Sequence, residues 1–217
     1  LILLGNGRGT DLARRGRLRR TRKTHGPLPP VLFFPRPPVS GRAGSADPGS
    51  SRRVFPHQAF LTPDSEKVAG YRAQFGGDNR PIVGICWRSM TLGAKRKKYY
   101  SAIDAWGPIL KTPGVTFGNL QYGDCTEELA QARDKFGVTI HAVEGSDLKD
   151  DIDGAAALSA ACDLVISAPT AAAALAGAVG TETWFLVAGR VWPQLGTDEY
   201  PWYRKSRVFA PEQFGDW

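Results

Sequence analysis

From about residue 60 onward, short apolar runs alternate with segments whose apolar positions follow a helical period. The apolar runs predict five strands, at residues 82–87, 115–121, 138–143, 164–167 and 183–187. The helical pattern and its flanking turn residues predict helices at residues 63–75, 102–110, 127–136, 151–161 and 170–179. Strands that alternate with helices in this way predict an α/β fold, in which a Rossmann-like parallel sheet carries helices on both faces.

In such a sheet, ligands bind beyond the carboxyl ends of the strands, so the loops that follow the strands are the candidate sites. The loop after the first strand contains Arg88, Ser89 and the basic run 95–98, which suit phosphate oxygens or form a solvated basic loop. The loop after the second strand contains Gln121 and Tyr122, which suit a base or a sugar or form a simple turn.

The loop after the third strand contains four aspartates, Asp147, Asp150, Asp151 and Asp153. An acidic side chain near a nucleotide accepts hydrogen bonds from the ribose hydroxyls in folds of this kind. We expect Asp150 or Asp151 to cap the following helix, which leaves the ribose role open for the others.

The junction after the fourth strand is the most informative feature of the chain. Pro169 ends the apolar run, and Thr170 and Ala171 open a helix that consists almost entirely of small residues. The first N–H groups of a helix lack partners within the helix, and the helix dipole favours an anion beside them. We therefore predict a phosphate site at this junction, with an ordinary helix start as the alternative.

Residues 1–55 differ in composition from the rest of the chain. They are rich in Arg, Pro and Gly and show no sustained helical or strand period. We interpret them as a disordered or non-native segment that precedes one domain at 56–217. Besides a flexible linker, the alternatives are a nucleic-acid-binding arm, an organelle transit peptide and sequence foreign to the natural domain. The opening glycines do not form a dinucleotide fingerprint, because the third glycine of that motif would fall at Thr10.

The net charge of +7 comes from this first segment. Residues 1–55 hold 12 of the 28 basic residues but only two acidic ones, whereas the remaining residues hold 16 basic and 19 acidic side chains. A mildly acidic domain makes nucleic acid an unlikely partner. Because no uncharged apolar run approaches about 18 residues, we predict no membrane span and expect a cytoplasmic protein.

The remaining reactive side chains do not form a recognisable motif. Cys86, Cys125 and Cys162 are far apart in the sequence and lack metal-ligand spacing, so we expect buried thiols rather than a disulfide or a metal site. His141 falls inside a predicted strand, where a core or sheet-face position is expected, and no catalytic Ser/His/Asp arrangement is evident. We expect neither a metal nor a cofactor.

An ordered set of motifs gives the chain a family resemblance. The motifs lie at residues 83–88, 106–110, 113–123, 163–170, 176–180, 201–203 and 215–217, and Trp184 lies between the fifth and the sixth of them. Over about residues 60–217 the chain resembles the C-terminal half of bacterial tetratricopeptide-repeat glycosyltransferases, which are related to heptosyltransferases and O-linked N-acetylglucosamine transferases.

The resemblance implies a GT-B arrangement of two Rossmann-like domains, in which this half binds a nucleotide-sugar donor. It implies metal-independent transfer of the sugar to a protein or glycan acceptor, with a helix dipole and basic side chains stabilising the departing diphosphate. The implied donor contacts are Trp87, Arg88 and Ser89 for the phosphates, Gln121 and Tyr122 for the base, Asp151 for the ribose, and Thr170 and Ala171 for the pyrophosphate.

Two departures from the family pattern limit this expectation. Heptosyltransferase-like relatives often carry a histidine where this chain has Ala174. The sequence also lacks the N-terminal half and the repeat array, so we expect a fragment of a glycosyltransferase that is inactive alone if the other half supplies the catalytic base. The alternative hypotheses are a non-catalytic interaction module that retains the fold and a nucleic-acid binder that uses the basic segment.

Overall fold

A computed structural model describes residues 58–76, 79–90, 93 and 96–217. The predicted segment 1–55 lies outside the described residues, and so does Lys95 of the basic run. The helices and strands, in chain order, are α1 (Ser65–Gln74), β1 (Ile82–Cys86), α2 (Gly107–Leu110), β2 (Thr116–Asn119), α3 (Thr126–Phe136), β3 (Ile140–His141), α4 (Ile152–Ala161), β4 (Leu164–Ser167), α5 (Ala171–Val179), β5 (Glu182–Leu186) and β6 (Ser206–Phe209). In the part of the chain that the structure describes, short 3-10 helices lie at Lys97–Tyr99, Ile103–Trp106 and Trp192–Gln194. Among the described residues, no helix has both the length and the apolar character that crossing a bilayer requires.

The predicted order of elements is confirmed, with three differences. The predicted helix at 102–110 is a 3-10 turn followed by α2, because Pro108 is tolerated only in the first turn of an α-helix. The third strand pairs over two residues only, and β6 was not predicted. Both β3 and β6 are edge strands with a single neighbour, so tertiary pairing rather than the local apolar pattern sets their extent.

The six strands form one parallel sheet in the order β3-β2-β1-β4-β5-β6. The chain order reverses between β1 and β4, where Cys86 stands opposite Ser167 at the ends of the two strands. In doubly wound sheets, a crevice opens beyond the carboxyl ends of the strands at this switch point. The α/β Rossmann-like class is therefore confirmed, and the topology places the candidate site between the ends of β1 and β4.

The two faces of the sheet are packed by different kinds of helix. One face packs against α2 and α3 through large side chains, among them the fully buried Trp87 and Trp106. The other face packs against α1, α4 and α5. The helix α1 contributes Tyr71, whereas α5 contributes only small side chains, among them the buried Ala176. Gly177 of α5 is packed against Tyr203, where a Cβ would lie 2.5 Å from Cγ of the ring. The small side chains of α5 thus allow close approach to its neighbours.

All three cysteines are buried free thiols, as the sequence predicts. Burial raises the pKa of the Cys86 thiol to about 11 and that of the Cys162 thiol to about 12. Burial also raises the pKa of Cys125. The thiolate, which is the reactive form, is therefore scarce at neutral pH in the folded protein.

We expect the folded chain to resist a thiol reagent such as dithiobis(nitrobenzoate) at pH 8. Three thiols should react at once after unfolding in urea, which returns their pKa values to the ordinary range of about 8.5. The measurement is the rate of absorbance change in native and unfolded samples. Rapid reaction of one equivalent in the native protein would contradict the burial described above.

Candidate functional site

The floor of the crevice is formed by the ends of β1 and β4 and by Thr170, the N-cap residue of α5. The Thr170 hydroxyl is turned into the protein, 3.4 Å from Sγ of Cys86 and 3.2 Å from Oγ of Ser167. Its side chain makes no capping hydrogen bond to α5. The neighbouring Pro169 and Ala171 are exposed. The start of α5 is therefore exposed at Ala171 and has no side-chain cap from Thr170, an arrangement that suits an anion.

Gln121 is buried and directed away from solvent. Its Oε1 accepts the backbone N–H of Arg88 at 3.0 Å, and its Nε2 donates to the carbonyl oxygen of Tyr122 at 3.0 Å. The side chain thus ties the loop after β1 to the loop after β2. Because protein groups hold its amide, Gln121 supports the two loops that form the site.

Trp87 and Arg88 both contact Glu128 on α3. The Trp87 indole is fully buried and donates to Oε1 of Glu128 at 2.8 Å. Arg88 Nε donates to the same oxygen at 2.6 Å, and Nη2 donates to Oε2 of Glu128. The hydrogen bonds that Arg88 donates to Glu128 raise the pKa of the Arg88 guanidinium. The Trp87 side chain thus belongs to the core. The Arg88 guanidinium already has a carboxylate partner, so a phosphate at the loop after β1 would not meet a free guanidinium.

An open pocket lies between the ends of β2 and β3. Its volume is about 400 Å3, within the range that small-molecule sites occupy. The half-buried Tyr122 is one wall, and its hydroxyl donates to Oγ of Ser89 at 3.5 Å. The other lining residues include Asn119, Gly123, Val143, Ser146, Asp147 and Leu148. The structure thus brings Ser89 and Tyr122 together.

Asp151 is the N-cap residue of α4, as the capping alternative predicts. Its Oδ1 accepts the N–H of Gly154 at 2.8 Å, and its Oδ2 accepts a hydrogen bond from Nζ of Lys67 at 3.0 Å. The hydrogen bond from Gly154, followed by that from Lys67, lowers the pKa of the Asp151 carboxyl. Both carboxylate oxygens have protein partners, and the ribose contact that the resemblance implies stays a prediction.

A second groove, of about 730 Å3, lies on the α3 side of the loop after β1. Arg88, Lys97, Asp124 and Glu128 are among its charged lining residues. The next lysine of the basic run, Lys98, is placed differently, with its Nζ over the rings of Tyr99 and Phe214. Among the described residues, no three His, Cys, Asp or Glu side chains are grouped as metal ligands, and His141 is exposed at the end of β3.

The sequence did not single out Glu128 or Cys86 as site residues. Glu128 lies in the first turn of the helix after the second strand, where an acidic side chain is common, so its position alone gave no signal. For the direction of Trp87 the sequence did contain a signal. Val83, Ile85 and Trp87 alternate along the chain and so share a face, and that face is buried in the core beneath α3.

Comparisons with known proteins place the chain beside part of larger proteins. No known family profile matches it. Protein FlbA of Caulobacter vibrioides is 49% identical over 166 residues, which are 76% of this chain and 28% of FlbA. The chain thus spans less than a third of that relative.

Solved structures with a similar fold include several glycosyltransferases. ADP-heptose lipopolysaccharide heptosyltransferase II of Escherichia coli has a TM-score of 0.49 and 20% identity, over 69% of this chain and 44% of that chain. A family 9 glycosyltransferase of Veillonella parvula has a TM-score of 0.49 and 13% identity, over 71% and 43%. The E. coli heptosyltransferase WaaC with ADP has a TM-score of 0.49 and 15% identity, over 69% and 44%. Each of these three alignments spans less than half of the solved chain.

Proposed function

We propose that residues 58–217 form the nucleotide-sugar donor-binding half of a glycosyltransferase that modifies a protein or glycan acceptor. The observation that carries the proposal is the arrangement at the carboxyl ends of the strands. The uncapped N-terminus of α5 lies at the end of β4, beside the switch point, and a pocket of about 400 Å3 lies between the ends of β2 and β3, on the other side of β1. Ligands bind along this edge of the sheet in this fold.

The two features suit the two ends of a nucleoside diphosphate. The first turn of α5 offers backbone N–H groups and the positive end of a helix dipole to the phosphates. The pocket between the ends of β2 and β3 offers the Tyr122 ring and a mixed polar and apolar lining to the nucleoside. Ser89, whose Oγ accepts from the Tyr122 hydroxyl, can donate its own hydroxyl hydrogen to a phosphate oxygen.

The same arrangement suits metal-independent transfer. As the bond between the sugar and the diphosphate breaks, negative charge develops on the leaving group, and the N-terminus of α5 would stabilise it without reorganisation. We assign the catalytic base and the acceptor surface to the other half of a GT-B arrangement, which the family resemblance implies. The tetratricopeptide-repeat lineage rests on the same resemblance.

A second candidate function is a non-catalytic interaction module that retains the fold. The pairing of Arg88 with Glu128 and of Asp151 with Lys67 favours it, because these charged groups already have partners within the domain. The two functions differ in one measurable property, which is affinity for a nucleotide.

Calorimetry with the full chain tests the proposal. The panel contains ADP, UDP, GDP and CDP, their sugar conjugates including ADP-heptose, and the matching nucleosides as controls. We expect one diphosphate to bind and its nucleoside to bind at least about 100-fold more weakly, because the phosphates contribute charge-assisted hydrogen bonds. No binding across the panel would exclude a donor site and favour the interaction module.

A further inference from the structure

A cluster of polar side chains lies beneath the crevice, in which two members contact the Thr170 hydroxyl and a third contacts Cys86. Cys86, Gln121 and Ser167 are all buried, and they come from the ends of three different strands. The Cys86 thiol lies 3.4 Å from Oγ1 of Thr170 and 3.6 Å from Oε1 of Gln121. Ser167 Oγ lies 3.2 Å from Oγ1 of Thr170. The donor site proposed above does not account for this cluster.

One assignment of the hydrogen atoms agrees with all the contacts of the cluster. The Ser167 hydroxyl donates to the carbonyl oxygen of Ala168 at 2.7 Å. The Cys86 thiol donates to Oε1 of Gln121 or to the carbonyl oxygen of Arg88, each at 3.6 Å. The Thr170 hydroxyl is then the donor toward Cys86 or Ser167. Both acceptors are buried, so the hydroxyl is held inward by partners that solvent does not reach.

The inward position of this hydroxyl is unusual for a threonine at the start of a helix. Thr170 has the extended backbone of an N-cap residue, with φ −121° and ψ 177°. Threonine in that conformation normally accepts a hydrogen bond from the N–H two or three residues ahead, here Ala172 or Ala173. A single rotation about χ1 separates the observed rotamer from that cap.

We propose that Cys86 and Ser167 are positioning residues that hold Thr170 in its non-capping rotamer and so keep the first turn of α5 open to a phosphate. This inference rests on the proposed function. A capping hydroxyl would compete with the ligand for the same N–H groups, so the cluster stabilises the arrangement that binds the ligand before the ligand arrives.

The test is a set of variants of the full chain, titrated with whichever of ADP, UDP, GDP and CDP the unchanged protein binds. In Cys86→Ala/Ser167→Ala, Thr170 is free to cap α5, and we expect affinity to fall about fivefold, equivalent to the ~1 kcal/mol of a threonine cap. Adding Thr170→Val should restore the affinity, because valine has the same shape and cannot cap. A merely structural role for Cys86 and Ser167 predicts no such rescue.

Cys162→Ala is the matched control, because it removes an equally buried thiol that donates to Leu158 rather than to the cluster. It should leave the affinity unchanged. If the double variant fails to fold, Ser167→Ala alone removes the nearer partner of Thr170 and carries the same expectation. A ligand-free measurement is amide hydrogen exchange at Ala173, which should slow in Cys86→Ala/Ser167→Ala.

The outcomes separate the inference from the proposed function. Equal affinities in the unchanged protein and the double variant would overturn the inference and leave the donor site standing. Failure of Thr170→Val to restore binding, or an equal loss in Cys162→Ala, would overturn it as well. No binding by the unchanged protein would overturn the proposed function and this inference together.

Discussion

Replacing Ala171 with aspartate is expected to abolish nucleoside diphosphate binding while leaving the fold at least as stable. Ala171 is the first residue of α5 and is exposed, so a larger side chain fits without repacking. A carboxylate about 5 Å from a diphosphate repels it by roughly 3 kcal/mol at an effective dielectric of 20, which lowers the affinity about 100-fold or more. The same carboxylate stabilises a helix N-terminus by about 0.3–1 kcal/mol.

Two further variants identify the cause of that loss. Ala171→Asn has the same shape without the charge and should retain most of the binding. Ala130→Asp adds the same charge at an exposed position of α3, on the other face of the sheet, and should bind as the unchanged protein does. Calorimetry gives the affinities and thermal unfolding gives the stability. Full binding by Ala171→Asp would remove the first turn of α5 as the phosphate site.

The local sequence predicts an element well when its ends carry their own signals. The fourth strand and α5 match their predicted bounds to within a residue, because Pro169 separates them and Gly180, at φ 84°, ends the helix in a conformation that favours glycine. The strand β6 has no such signals at its ends. It contains Arg207 within a short run and owes its existence to pairing with β5, which a local pattern does not contain.

The same distinction applies to the candidate site, whose position was predicted but whose side-chain contacts were not. Topology brings Arg88, Gln121 and Thr170 to one edge of the sheet, and the order of elements was enough to predict that. Side-chain partners depend on packing between segments that are distant in the sequence. Arg88 and Glu128, for example, are 40 residues apart. The sequence therefore located the crevice but not the direction in which Trp87, Arg88 and Gln121 point.

Glu128→Ala is expected to destabilise the fold by about 3 kcal/mol. Glu128 accepts hydrogen bonds from both the Arg88 guanidinium and the buried Trp87 indole. The side chains of Arg88 and Glu128 are only 14% and 24% exposed, so solvent replaces the lost partner poorly. Removing the carboxylate leaves the largely buried Arg88 cation without its counter-charge, with carbonyl oxygens such as that of Asp124 as its remaining acceptors, and leaves the Trp87 N–H without its acceptor.

Urea denaturation of Glu128→Ala, Glu128→Gln and Glu127→Ala measures this contribution. Glu127 is the exposed neighbour on the same helical turn, and its replacement should change the free energy of unfolding by less than about 0.5 kcal/mol. Glutamine keeps an acceptor for Trp87 and should fall between the two alanine variants. A loss below about 1 kcal/mol in Glu128→Ala would mean that Arg88 is satisfied without Glu128. Its guanidinium would then be available to a donor phosphate, and Arg88 would belong to the binding site rather than to the framework beneath it.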